Sequence, residues 1–354
     1  MPPPTDPADT AAVLRAAEAT AHRLAGELFP WDLTRALELA LLKTFCVPSI
    51  SGLLARTGEF EQRPRKRYDD TGLMVAELLR HGLDSPAGAA VIERMNRIHG
   101  HYAIGNDDFL YVLSTFVAEP IRWLARYGWR PLTPLEQEHL FLFWRGVGER
   151  MGITDLPATL AELLALNERV EQEAFAPAAT NRRIADATLA MLLADWPAPL
   201  RPALRRTLRG LLDRQTCAAL GWNTAPDWLQ VLVLRALRAR SRAAALVAGG
   251  RTRLGRPAPA RFYSQRPTPS YGATFRLEQL GPPPLLEDLA KQEVPLPSRQ
   301  PMVAPFQSPH FAIARTEDGW IIEARVTKDQ QGDWLLSRHE LEELQALLER
   351  VIAS

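Results

Sequence analysis

Apolar residues recur every three to four positions from Pro7 to about Gly249, which is the period of amphipathic helices and not of strands. The pattern predicts helices over Ala11 to Leu28, Asp32 to Val47 and Asp70 to Gly82. Ser85-Pro86 reads as an N-cap followed by proline in the first turn, opening a helix to about Tyr102. Asn106 or Asp107 should cap the next helix, with Pro120 interrupting it before a second run from Ile121 to Tyr127. Thr133-Pro-Leu-Glu136 and Thr159-Leu-Ala-Glu162 have capping-box spacing and open helices ending near Met151 and Phe175. Further helices are expected at Asn181 to Leu193, Pro199 to Leu220 and Ala225 to Val247.

The pattern changes at Gly249-Gly250. Proline and glycine punctuate residues 251 to 309, predicting an extended segment that wraps the helical domain of residues 1–250. Residues 310–354 read differently again. His310 to Arg315 and Trp320 to Val326 flank Asp318-Gly319 as a β-hairpin, and Ser337-Arg-His-Glu340 opens a helix to about Ile352. The expected fold is therefore mainly α, with a Pro-rich strap and a small ββα appendage.

Composition bounds the function. A 46% hydrophobic, 23% charged chain of 354 residues buries a sizeable core and is not disordered. Its two cysteines, Cys46 and Cys217, lie in apolar helical stretches and read as buried thiols, which suits a reducing compartment. No apolar run approaches the roughly 20 residues of a spanning helix, and the first residues lack the basic-then-apolar order of a signal peptide. A cytoplasmic protein is the expectation. The net charge of +1 conceals 14 arginines between residues 200 and 266, opposed only by Asp213 and Asp227. That block reads first as a solvated face paired with acidic helices, and second as a peripheral membrane contact. It carries no nucleic-acid module, so no nucleic-acid partner is expected.

Several common chemistries are missing. There is no His-Glu-x-x-His, no Cys-x-x-Cys, no phosphate loop and no nucleophile elbow. The segment Arg94-Met-Asn-Arg-Ile-His-Gly-His-Tyr102 is unusual. It puts His99 late in a helix on the stripe of Ile92 and Met95, beside a glycine that would let a flat cofactor approach. An imidazole aimed at an apolar core needs a hydrogen bond or a metal. Residue pattern alone favours a structural histidine and leaves the ligand reading open. Arg67 and Thr71, four apart, share a helix face and could bind a carboxylate; a basic loop before an Asp N-cap is the alternative. Glu59 and Glu61 lie upstream as candidate carboxylate bases.

Taken together, the ordered motifs Arg67-Tyr-Asp-Asp-Thr71, Met95-Asn-Arg-Ile-His-Gly-His-Tyr102, Gly105-Asn-Asp-Asp-Phe-Leu-Tyr111, Glu119-Pro-Ile-Arg-Trp123 and Phe143-Trp-Arg-Gly-Val-Gly-Glu-Arg-Met-Gly-Ile153 resemble the family of rubber oxygenases and mycophenolate-pathway oxygenases. The likeness runs from about residue 35 to Pro282, including Ser270-Tyr-Gly272 and Leu280-Gly-Pro282. It implies a globin-like helical core holding one b-type haem, with His99 as proximal iron ligand and Arg67 and Thr71 on the distal side. It implies dioxygen as co-substrate and oxidation or cleavage of a C=C bond in a lipophilic, isoprenoid-like substrate, with Glu59 the nearest counterpart of the family's base. Two positions depart from rubber oxygenases: Asp70 replaces a lysine, and Ala103 replaces a second arginine. A haem protein that does not cleave alkenes, with His101 or Lys66 as second ligand, is one rival. A cofactor-free helical lipid-binding or scaffold protein is the other.

Overall fold

A computed structural model describes residues 7–253, 259–283, 306–307, 311–316 and 319–324, with side-chain detail over 11–246 and 259–283. The chain divides into a unit of residues 1–286 and a second of residues 287–354.

The first unit is helical, as the apolar period requires. Its elements are α1 (Pro7–Arg23), α2 (Pro30–Thr44), α3 (Pro48–Thr57), α4 (Glu59–Gln62), α5 (Pro64–His81), α6 (Pro86–His99) and α7 (Asn106–Tyr127). After them come α8 (Pro134–Arg150), α9 (Leu160–Ala174), α10 (Ala179–Leu192), α11 (Arg201–Arg209), α12 (Arg214–Ala219) and α13 (Asp227–Arg253). The main core gathers Leu24 and Phe29 from the segment between α1 and α2 with Leu78, Val91, Ile92, Leu113, Phe141 and Phe143 from α5, α6, α7 and α8. A second cluster packs Phe45, Cys46 and Phe60 against Ile184, Leu189, Cys217 and Trp222. Both cysteines are buried and unpaired, and burial raises both thiols, that of Cys217 to about 11, so neither is a nucleophile at neutral pH.

Most helix ends follow their local chemistry. Ser85 Oγ accepts the Gly88 N–H at 2.9 Å and opens α6. Thr133 and Glu136 form the full reciprocal box on α8. On α9 the box is skewed: Thr159 Oγ1 accepts from Glu162 N, but the Glu162 carboxylate reaches back to Ala158 N at 2.9 Å.

Five expectations need correction. First, α5 begins at Pro64, six residues before the expected start, because Pro64 in the first turn nucleates the helix and the Arg65–Asp69 run is helical, not a loop. Second, the stretch after Val47 holds two helices that had no expectation, α3 and the single turn α4. Third, Pro120 does not interrupt α7; buried Val117, Ala118, Trp123 and Leu124 flank it, and their burial outweighs the lost hydrogen bond and ring clash, together about 3 kcal/mol. Fourth, neither Asn106 nor Asp107 caps α7, which starts from Gly105; Asn106 instead exchanges two 3.0 Å bonds with Thr154. Fifth, the helix expected over Pro199 to Leu220 breaks at Gly210, and Asp213 caps α12 by accepting from Thr216 N at 2.7 Å.

Residues 259–283 lie along the helical unit. Arg261 N–H donates to Gly26 O at 2.8 Å, and Phe262 packs so closely that a Cβ on Gly26 would lie 2.6 Å from its ring. The second unit contributes three antiparallel strands, β1 (Phe306–Gln307), β2 (Phe311–Thr316) and β3 (Gly319–Ala324), in the order β1-β2-β3. β2 and β3 fall within about two residues of the expected hairpin, while β1 had no expectation. The helix expected at Ser337 to Ile352, and His310 and His339, lie outside the described residues. Among the described residues no single helix is long and apolar enough to cross a membrane.

Candidate functional site

α5 and α6 pack against each other and carry the residues singled out above. His99 is the last residue of α6, and its ring meets the edge of Phe109 at 5.5 Å between centroids. Of the five described histidines, four have polar partners. His22 bonds Arg80 O, His101 bonds Arg97 O, His139 bonds Thr20 Oγ1, and His81 lies 3.3 Å from Glu77. His99 makes no hydrogen bond, and its Nδ1 is sealed from solvent without a partner. Burial first, and the nearby Arg67 charge second, push its pKa down to about 4. The imidazole is therefore neutral at physiological pH with a lone pair free, which is the form that binds a metal.

The Arg67 guanidinium on α5 hydrogen-bonds Thr71 Oγ1, which also donates to Arg67 O at 3.3 Å. The same cation lies 5.2 Å over the Phe60 ring. Burial lowers its pKa, and the charges of Asp70, Glu59 and Tyr102 act against that. Glu59 opens α4 after Gly58, whose φ of 70° lets the chain turn sharply. Glu59 is buried, and its carboxylate is held by Arg63 Nε at 3.0 Å. Burial raises the Tyr102 phenol, Glu59 adds to that, and Arg67 opposes it. The structure thus brings His99, Arg67, Thr71 and Glu59 into one neighbourhood. Tyr102, Phe60 and Phe109 belong to it as well, and were not singled out; the only hint of Tyr102 was its place beside His99-Gly-His101. Glu61 turns away and pairs with Arg183 at 2.7 Å.

The donor set fits a haem better than a protein-caged metal ion. No group of three His, Cys, Asp or Glu side chains converges among the described residues, so a lone imidazole would need the other ligands from a macrocycle. His99 is that lone imidazole, unpartnered and neutral. Of the candidate second ligands, Lys66 is engaged by Asp70, Tyr271 and Gly281, and His101 is exposed with its Nδ1 bonded to Arg97 O.

A family described as the ER-bound oxygenase mpaB/B' and rubber oxygenase catalytic domain matches residues 11–243. The chain belongs to this family. It is 31% identical over 192 residues to the ER-bound oxygenase mpaB of Penicillium roqueforti (strain FM164), covering 49% of this chain and 64% of that protein. It is 30% identical over 222 residues to the ER-bound oxygenase mpaB' of Penicillium brevicompactum, covering 57% and 52%. With mpaB of the same species it shares 30% over 185 residues, 47% of each chain. The chain thus spans less than two thirds of the length of these curated relatives. The match falls on what the family description calls its catalytic domain, and His99, Arg67, Thr71 and Glu59 all lie within the matched residues. The match starts earlier than the expected residue 35 and stops before the strap, so Ser270-Tyr-Gly272 and Leu280-Gly-Pro282 fall outside it.

The arginine block divides. Arg240 pairs with the buried Asp32 at 2.8 Å and stacks 3.8 Å over Trp31, and Arg205 and Arg209 face Asp186. Arg206, Arg235, Arg238 and Arg242 are exposed.

Proposed function

We propose that this oxygenase is haem-dependent and uses dioxygen to oxidise or cleave a C=C bond of a lipophilic, isoprenoid-like substrate. The observation that carries the reading is His99: half-buried with its Nδ1 sealed from solvent, neutral, and the one described histidine without a polar partner. A b-type haem bound there supplies dioxygen activation. His99 presents its lone pair from a helix end where Gly100 adds no side chain. Arg67, desolvated and tied to Thr71, is a fixed cation able to hold a propionate or a developing negative charge without reorganising. Glu59 reaches both Arg67 and Tyr102 electrostatically and fits the role of carboxylate base. Phe60 and Phe109 give the neighbourhood the apolar walls that an isoprenoid requires and that exclude water. An isoprenoid is preferred over other lipids because the family includes rubber oxygenases.

The test is the visible spectrum of the chain after expression with ample haem, followed by oxygen uptake on adding squalene. A Soret band with squalene-dependent uptake and carbonyl products is expected. A colourless protein would sink the reading. A Soret band without alkene consumption would move the protein to the non-cleaving rival.

We also propose a peripheral contact with anionic membrane surfaces. On α13, Trp228, Val231, Leu232, Arg235, Arg242 and Leu246 follow helical spacing along one stripe, and all are exposed, Trp228 at 66% and Leu246 at 79%. Apolar residues interleaved with arginine suit a bilayer interface, which also presents lipophilic substrate. Co-sedimentation with phosphatidylserine-containing vesicles should exceed that with phosphatidylcholine vesicles, and should fall several-fold in Trp228→Ala/Leu232→Ser. Equal binding to both compositions, or none, would refute the contact.

A further inference from the structure

The strap of residues 259–283 lies beyond the 11–243 matched to the family, yet its anchors are on the two helices that carry the site. Asp69 of α5 accepts from Tyr263 OH at 2.7 Å and from Ser270 N at 3.1 Å. Asp70 accepts from Tyr271 OH and from Gly281 N at 3.2 Å. Two cations then grip one stretch of backbone. Lys66 of α5 donates to Gly281 O at 2.7 Å and Gln279 O at 3.3 Å, and also to Tyr271 OH at 2.7 Å. Arg94 of α6, 7% exposed, donates to Glu278 O at 2.8 Å and twice to Leu280 O, at 2.8 and 3.0 Å. Carbonyls 278 and 280 thus go to α6, and 279 and 281 to α5. Leu280 is fully buried at this junction.

Each anchor is close in sequence to a site residue. Lys66 and Asp70 form an i,i+4 row next to that of Arg67 and Thr71, and Asp70 is the largest charge acting on Arg67. Arg94 lies five residues before His99 on the same helix. Charge-assisted bonds between a buried cation and carbonyls are strong and directional, and an opened one leaves a desolvated group unpaired. A change in the spacing of α5 and α6 would break at least one set.

We propose that residues 278–281, clamped between Lys66 and Arg94, fix α5 against α6 and so hold Arg67 in place relative to His99, making Lys66, Asp70 and Arg94 positioning residues of the site. This rests on the haem reading above.

The experiment uses the full chain with haem and compares Lys66→Met, Arg94→Met, Arg67→Leu and Ser85→Ala. Ser85→Ala removes the cap at the far end of α6 and leaves the strap untouched. The probe is the infrared stretch of carbon monoxide on the ferrous protein, which senses the polarity around the bound gas. Lys66→Met and Arg94→Met should keep the Soret band and shift the stretch in the direction of Arg67→Leu, while Ser85→Ala leaves it in place. An unmoved stretch in both clamp variants, or an equal shift in Ser85→Ala, would overturn the proposal. Should the clamp variants fail to hold haem, hydrogen exchange in the haem-free chain decides. Faster exchange confined to residues 67–71 and 95–99, with helical circular dichroism kept, supports the clamp; unchanged exchange overturns it. A wild type without a Soret band would sink the haem reading instead, and exchange would still test the clamp.

Discussion

His99→Ala, expressed with ample haem, is expected to lose its Soret band almost completely, with haem affinity down on the order of 100-fold or more. The other described histidines each have one ring nitrogen in a polar contact with a carbonyl, hydroxyl or carboxylate, and of them only His101 stands next to the site in sequence. Adding imidazole should restore part of the band by filling the vacated space. The haem-free stability separates a ligand from a structural histidine. Removing a buried nitrogen that has no partner relieves a desolvation cost, so the haem-free variant should unfold within about 1 kcal/mol of wild type at pH 7. A histidine holding the core together would cost about 2 to 3 kcal/mol. Acid behaviour gives a second check. The folded pKa of about 4 lies below the unfolded value of 6.5, so the unfolded chain takes up the proton first. Stability is then complete above pH 6.5 and declines as pH falls toward 4, by roughly 2 to 3 kcal/mol. The haem-free variant should lack that decline. A retained Soret band in His99→Ala would place the ligand elsewhere, with His101 the next candidate.

The helical class and most helix starts were legible because they depend on local chemistry. Ser85, Thr133 and Thr159 cap their helices with their own hydroxyls, and the 3.6 period places Ile92, Met95 and His99 on one stripe. Spacing placed His99 on its apolar stripe and Arg67 and Thr71 on one helix face, but their candidate roles came only from the resemblance. What the sequence did not disclose is long-range. Asp70 was noted as a departure from the family pattern, but its partners Tyr271 and Gly281 lie about 200 residues away, and no local rule pairs them. Lys66 was considered only as a second ligand in the non-cleaving rival, for the same reason. Tyr102 gains meaning only when folding brings Glu59 of α4 within electrostatic reach of it. The break at Gly210 was hidden because the apolar period continues across it.

The motif Glu119-Pro-Ile-Arg-Trp123 shows the same limit, and it yields the largest expected stability effect. It contributed to the likeness with oxygenases, but its side chains build the scaffold. Trp123 Nε1 donates to the buried Asp32 at 3.1 Å. Glu119 and Glu171 share two cations: Lys43 Nζ at 2.9 and 3.0 Å, and Arg122 Nη1 at 2.8 and 3.0 Å. Burial works against the Lys43 charge, and Glu119 and Glu171 outweigh it, so its pKa is raised. Lys43→Met keeps the length of the side chain and removes the charge. It leaves two largely buried carboxylates, 6% and 15% exposed, facing each other with only Arg122 between them. Uncompensated burial of that kind costs about 3 to 5 kcal/mol, several times a surface ion pair. Urea denaturation should show the midpoint falling with the slope unchanged. Adding Glu119→Gln to Lys43→Met should recover part of the loss, because it removes one of the stranded charges, with a coupling of about 1 kcal/mol or more. Strictly additive losses would mean that Arg122 alone neutralises the pair and that Lys43 is a bystander in the bond between α2, α7 and α9.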